Sequence, residues 1–218
     1  MMYKLDLHTH TRFFHWNKGE PTRFDPVGAS LLGDAARRRD LDGVALTNHD
    51  YYRPYDHDSP LSTIPGIEIS TTRGHVLVVG PDPPTDTEPG RLTPEKVVEM
   101  AHERECAAIM AHPYRNSTVA DGDAELDAVE INGKHPQRQA RVRKLAESLD
   151  LPLVGGSDAH YPFEVGRAHT MVDAEESTPE AIVGAIRDGR VGPRVDDRLS
   201  NRVLHEIYQR VHEYKGHV

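Results

Sequence analysis

Short apolar runs alternate with amphipathic stretches along almost the whole chain. Residues 3–8, 44–47, 66–70, 75–80, 107–111, 128–131, 153–156 and 170–172 form compact apolar segments, and the pattern predicts a strand at each. Between several of them the apolar spacing turns helical. Three helix starts are written as an N-cap residue followed by proline: Asp25-Pro26, Thr93-Pro94 and Thr178-Pro179. A further helix is expected over 136–148. A last one is expected over 197–214, where Val203, Leu204, Ile207, Tyr208 and Val211 make one apolar stripe. Such a stripe packs on its own domain or on a second copy of the chain. Strands alternating with helices define an α/β fold.

The connections carry the next clue. Loops 11–24, 50–63 and 113–123 each follow a predicted strand end, where α/β folds place their substrate contacts. In the second of these, Tyr51, Tyr52 and Tyr55 suit either stacking on a base or packing of the loop. The segment 81–92, with four prolines and no periodic pattern, reads as a surface connection.

Metal-binding side chains sit at or beside five strand ends. They lie in Asp6-Leu7-His8-Thr9-His10, Thr47-Asn48-His49-Asp50, Gly66-Ile67-Glu68-Ile69, Ala111-His112-Pro113 and Ser157-Asp158-Ala159-His160. Alternate strand residues share a face, so His8 with His10, and Asp158 with His160, can aim two ligands into one pocket. Glu68 lies between two isoleucines and faces away from both, towards a barrel interior or towards solvent; in the interior, a buried carboxylate needs a cation. Gly155 and Gly156 let other groups approach the strand end before Asp158. Imidazole mixed with carboxylate suits zinc, manganese or iron better than calcium or magnesium. His15, between Phe14 and Trp16, suits either a ligand or aromatic packing in its loop. His57, His102, His135, His169, His205 and His212 read as solvent-facing or structural.

In this order the motifs H-x-H, T-x-H, G-I-E, A-H-P and S-D-A-H resemble the polymerase and histidinol phosphatase (PHP) family of metal-dependent phosphoesterases, over about residues 3–194. A single domain is expected over 1–194, with the 195–218 segment packed on it as a helix, and the resemblance implies a distorted (β/α)7 barrel for that domain. It also implies two or three divalent transition-metal ions (Mn, Fe or Zn) in the barrel mouth. One ion would take His8, His10, Glu68 and Asp158, a second Glu68, His75 and His112, and a third His15, His49 and His160. The implied reaction is hydrolysis of a small phosphorylated molecule by a metal-bound hydroxide. Nucleotides, histidinol phosphate and sugar phosphates are all compatible. The chain departs from the small phosphoesterase branch in one place, carrying His15 where that branch has Asp. Arg115, Asp158 and His160 are the residues expected at the reacting group. Arg115 is the first choice for the phosphate oxygens, with Arg12, Lys134 and Arg167 behind it.

Composition narrows the alternatives. A length of 218 residues supports one sizeable core, and no apolar run approaches the roughly 20 residues that span a bilayer. A cytoplasmic enzyme without membrane contact, monomeric or homodimeric, is the expectation. A net charge of −9 disfavours an extended nucleic-acid partner, and with it the family's nuclease branch. Bound cations would add local positive charge that this count omits. The single cysteine, Cys106, rules out an internal disulfide and reads as a buried residue. Two other readings are an amidohydrolase-like barrel, which also opens with H-x-H, and a metal-binding scaffold or sensor without turnover.

Overall fold

Residues 1–11, 25–55 and 60–196 are described in a computed structural model of the chain. His15, Arg12 and the helix expected over 197–214 lie outside the described residues. The three N-caps are where the sequence places them. Asp25 accepts the Val27 and Gly28 amides ahead of α1 (Pro26–Arg38), Thr93 accepts Lys96 N ahead of α2 (Pro94–Glu103), and Thr178 accepts Ala181 N ahead of α4 (Pro179–Arg187). Helix α3 starts later than expected. Pro136–Arg138 form a 3-10 turn with no side-chain cap, and α3 itself runs Gln139–Leu149 to a left-handed Asp150.

The strands are β1 (Met2–Thr9), β2 (Gly43–Leu46), β3 (Ser62–Thr71), β4 (Gly74–Val79), β5 (Ala107–Met110), β6 (Ala128–Asn132), β7 (Leu153–Gly156), β8 (Ala168–Asp173) and β9 (Val191–Val195). They form one mixed sheet in the order β7-β6-β5-β4-β3-β2-β1-β8-β9. The pairs β1/β2, β2/β3, β5/β6 and β6/β7 are parallel, whereas β3/β4, β4/β5, β1/β8 and β8/β9 are antiparallel. The sheet curls until its two halves meet: Asp158 N donates to His8 O (2.9 Å), and His10 N donates to Ala159 O (3.1 Å). The result is a nearly closed, distorted barrel in which some strands follow one another without an intervening helix.

Two strand assignments differ from the sequence pattern. Strand β3 begins at Ser62 rather than residue 66, because Pro65 inside it breaks the apolar pattern without breaking the parallel register to Leu46. Strand β9 went unmarked because Gly192 and Pro193 lie in its middle. The proline-rich segment 81–92 is more than a surface connection. Tyr52 N donates to Thr85 O, and the Thr87 hydroxyl donates to Asp50 Oδ1 (2.8 Å), so the segment clamps the turn after His49.

Apolar burial fixes the frame beneath the mouth. Leu5, Leu7, Ile64, Leu77, Val79 and Ile109 pack with Ile182 and Ile186 of α4. On another face, Val97 and Ala101 of α2 and Val142 and Ala146 of α3 cover Ile67, Ile69, Val76 and Ile131, with Tyr52 packed at the edge. Helix α1 lays Leu32 and Ala36 on Val44 and Leu46, joined by Tyr55. Cys106 is buried, its thiol pushed up to about 11 by that burial. Among the described residues no helix is long and apolar enough to cross a membrane.

Candidate metal centre

The strand alternation that sends Leu5 and Leu7 into the core turns Asp6 and His8 to the other face, and His10 follows past the strand end. In the same way Ile67 and Ile69 pack under α2 while Glu68 points into the mouth, fully buried. Around Glu68 five histidines converge from four parts of the sheet. Its Oε1 lies 2.7 Å from His75 Nδ1 and 2.9 Å from His112 Nε2. Its Oε2 lies 3.0 Å from His49 Nδ1, 3.2 Å from His8 Nε2 and 3.4 Å from His10 Nε2. Asp158 closes the cluster, with Oδ1 3.3 Å from His10 Nε2 and 3.2 Å from His160 Nδ1.

These separations test the donor set for metal binding. Ligand atoms about 2 Å from a shared ion stand roughly 3 Å apart, which is the spacing seen here. Buried His8 Nε2, both ring nitrogens of His10, Glu68 Oε2 and His112 Nδ1 lack hydrogen-bond partners, a costly state for polar atoms shielded from water. Bound cations would satisfy the ones that face the pocket. Four sets of three have mutually close ligand atoms: His8, His10 and Asp158; His8, Glu68 and His112; His49, Glu68 and His75; His10, His49 and His160. These sets join His112 to His8 and His75 to His49, while Glu68 Oε1 is shared by His75 and His112, the pair that the family resemblance puts on one ion.

The electrostatics suit cations. Burial holds His10 and His49 down to about 3 and His160 to about 4, with Lys134 adding to the depression of His160, so all three offer neutral rings. For Glu68 burial pulls upward, but His49, His8 and His75 overcome it and hold the carboxyl well below the usual range. Asp158 is likewise held low against its burial by Lys134 and His8. For His8 burial pulls down, yet Glu130, Glu68 and Asp158 together raise it well above the usual imidazole range.

Of the sequence candidates, His8, His10, His49, Glu68, His75, His112, Asp158 and His160 meet in this one cluster. Arg115 reaches it from the rim, its Nη1 3.0 Å from Asp158 Oδ2 and its side chain half exposed. Lys134 reaches it from within, with Nζ 3.1 Å from Asp158 Oδ1 and 2.7 Å from His160 Nδ1. Arg167 is instead buried over the Phe163 ring, with Glu164 Oε1 4.0 Å away. His135, expected to be solvent-facing or structural, lines a small cavity beside His112, Glu130 and Arg138.

Sequence reasoning missed three buried carboxylates that hold the turns carrying the candidate ligands. Asp6 accepts the Ser157 and Gly166 amides (2.9 and 2.8 Å), Glu164 accepts His160 N (2.8 Å), and Glu130 contacts both His8 and His112. A signal for Asp6 and Glu130 was present, since each lies inside an otherwise apolar strand run. Their partners come from distant segments and are invisible to local patterns. His112 and Asp158 also need such support because both have left-handed backbones (φ 27° and 53°) that cost non-glycine residues energy.

Known proteins share this architecture. Residues 136–191, which carry Asp158 and His160, match the PHP-associated family PHP_C. An uncharacterized protein of Methanocaldococcus jannaschii is 30% identical over 140 residues, covering 59% of this chain and 80% of the relative. The chain belongs to the PHP family. The structure of PsfC from Pseudomonas syringae PB-5123 superposes on this PHP barrel with a TM-score of 0.74 at 19% identity, over 96% of this chain and 98% of PsfC. A two-domain protein from Bacteroides vulgatus containing a predicted PHP-like metal-dependent phosphoesterase gives 0.61 at 20% identity, over 89% and 65% of the two chains. The lesion-specific endonuclease PfuEndoQ from Pyrococcus furiosus gives 0.62 at 22% identity, over 89% and 58%. This PHP chain thus spans less than two thirds of either of those two larger proteins.

Proposed function

We propose that this protein is a metal-dependent phosphoesterase acting on a small phosphorylated molecule. One observation carries the reading: the two oxygens of Glu68 face different histidines, His75 and His112 on one side and His8, His10 and His49 on the other. A buried carboxylate so placed is suited to bridging two cations. Manganese, iron or zinc ions held there would supply an activated water near neutral pH and a charge sink for phosphate oxygens.

The remaining work falls to the chain's own groups. Arg115 extends a planar fork from the rim and is suited to the non-bridging oxygens of a phosphate. Lys134 brings a second positive charge to Asp158 from the buried side, so an incoming phosphate would meet cations from both directions. Buried Asp158 and part-buried His160 stand at the reacting centre, His160 held by its backbone bond to Glu164. No side chain has to act as a covalent nucleophile in this scheme.

The likeness to a lesion-specific endonuclease keeps a nucleic-acid substrate as the second reading. A net charge of −9 favours a small substrate over a long phosphate backbone. A panel of nucleoside monophosphates, sugar phosphates and histidinol phosphate, run beside labelled single- and double-stranded oligonucleotides in manganese, iron and zinc, separates the two. The proposal expects phosphate release from a small ester, lost in chelator and restored by metal. Oligonucleotide cleavage with no turnover of small esters would overturn it.

A further inference from the structure

We propose that Glu130 is the positioning residue of the metal centre: one buried carboxylate on β6 sets the ring orientation of His8 and holds the strained turn that presents His112. The inference rests on the reading of His8 and His112 as ligands. Glu130 is fully buried, and its two oxygens serve two different strands. Oε1 lies 2.7 Å from His8 Nδ1, and Oε2 accepts the backbone N–H of His112 at 2.8 Å and the Asn132 side-chain amide at 3.2 Å.

A carboxylate can only accept in these contacts, so His8 Nδ1 must carry the proton. That leaves Nε2 as the nitrogen aimed at the cluster, 3.2 Å from Glu68 Oε2. A partner of this kind on the far side of a ligating imidazole fixes its tautomer and its ring plane. At His112 the same carboxylate holds an amide whose residue sits at φ 27°, a conformation that persists only when its surroundings impose it.

The sequence makes room for this arrangement at a single glycine. A Cβ on Gly156 would stand 2.3 Å from Glu130 Oε1 and 2.5 Å from His8 Cβ, so no larger residue fits between the strands. Gly156 has an ordinary backbone φ. Space rather than conformational freedom demands glycine there.

The substitution Glu130→Gln tests the role. It preserves volume and removes the charge, but an amide offers one acceptor oxygen and one NH2 donor. If the oxygen serves His8, the NH2 confronts the His112 amide; if it serves His112, the NH2 confronts His8 Nδ1 and drives its proton to Nε2. Either way one candidate ligand loses its orientation. Zinc binding to purified full-length protein should weaken by roughly 10- to 100-fold, the usual effect of losing such a partner. In the zinc-loaded wild type, ring-nitrogen NMR should find a hydrogen-bonded proton on His8 Nδ1 and the metal on Nε2. In the variant that Nδ1 signal should be lost or shifted. Wild-type zinc affinity with an unchanged His8 signal in Glu130→Gln would overturn the proposal. Should the variant fail to fold, the wild-type spectrum decides, because zinc on His8 Nδ1 contradicts the assignment outright. Weakened zinc binding in a protein that hydrolyses no phosphoester would leave Glu130 its role and remove only the phosphoesterase reading.

Discussion

The Lys134 ammonium lies 3.1 Å from Asp158 Oδ1 and 2.7 Å from His160 Nδ1, and the lysine side chain is only 7% exposed. It supplies positive charge to the cluster from the chain itself. A divalent ion on Asp158 would take over much of that duty. Lys134→Met should therefore destabilise the metal-free protein by up to about 3 kcal/mol, the scale for removing one partner of a buried pair, and the metal-loaded protein by less. Thermal unfolding with and without manganese checks this. Equal losses in both states would mean that ions and Lys134 do not share the same carboxylate.

Arg115 is different because half of its side chain is in solvent. Its ion pair with Asp158 should add no more than about 1 kcal/mol to folding. Arg115→Ala should keep the metal content and melting behaviour of the wild type while kcat/KM for a phosphoester falls roughly 10²- to 10³-fold, the range for losing one fixed donor to developing charge. Unchanged kinetics would move the phosphate contact to Lys134 or to the metals alone.

His135 makes a pH prediction. Burial first, then the Arg138 and Arg115 guanidiniums, hold its ring down to about 4, against about 6.5 in an unfolded chain. Between those values the unfolded chain binds a proton that the folded chain refuses, so acidification through this window costs stability. Denaturant unfolding of metal-free wild type and His135→Gln at pH 7 and pH 4.5 should show the larger acid loss in the wild type. Parallel losses would place His135 in solvent.

Much of the candidate site was legible because its residues sit at or beside strand ends, where two-residue alternation constrains direction. Spacing pointed His8 with His10, and Asp158 with His160, at one pocket, whereas the isoleucines beside Glu68 left it facing either the interior or solvent; Gly155-Gly156 announced a close approach that Gly156 makes against Glu130 and His8. The supports were not legible. Glu130 and Asp6 act on residues 122 and 151 positions away in sequence, and only the barrel's curl brings them together. Lys134 looked like one more loop cation, yet it proves to be buried beside Asp158 because the 132–135 turn folds inward, with Lys134 N bonded to Asn132 Oδ1 and His135 N to Asn132 O. Strands β3 and β9 were misjudged for one reason: proline interrupts the apolar pattern of both without preventing their pairing.

Glu68→Gln bears on the centre itself. Glutamine keeps the volume but cannot present two anionic oxygens to two cations, so the variant should bind fewer ions and lose turnover by orders of magnitude while circular dichroism shows the fold retained. Wild-type metal content and activity in this variant would end the bridging role.

The most direct measurement strips the wild-type protein with chelator, returns manganese or zinc in steps, and follows bound metal and phosphate release from an aryl phosphate in the same samples. The account predicts no turnover without metal and activity that rises as the second ion per chain is bound. Turnover in the fully stripped protein, or full loading with no hydrolysis of any small phosphoester, would contradict it.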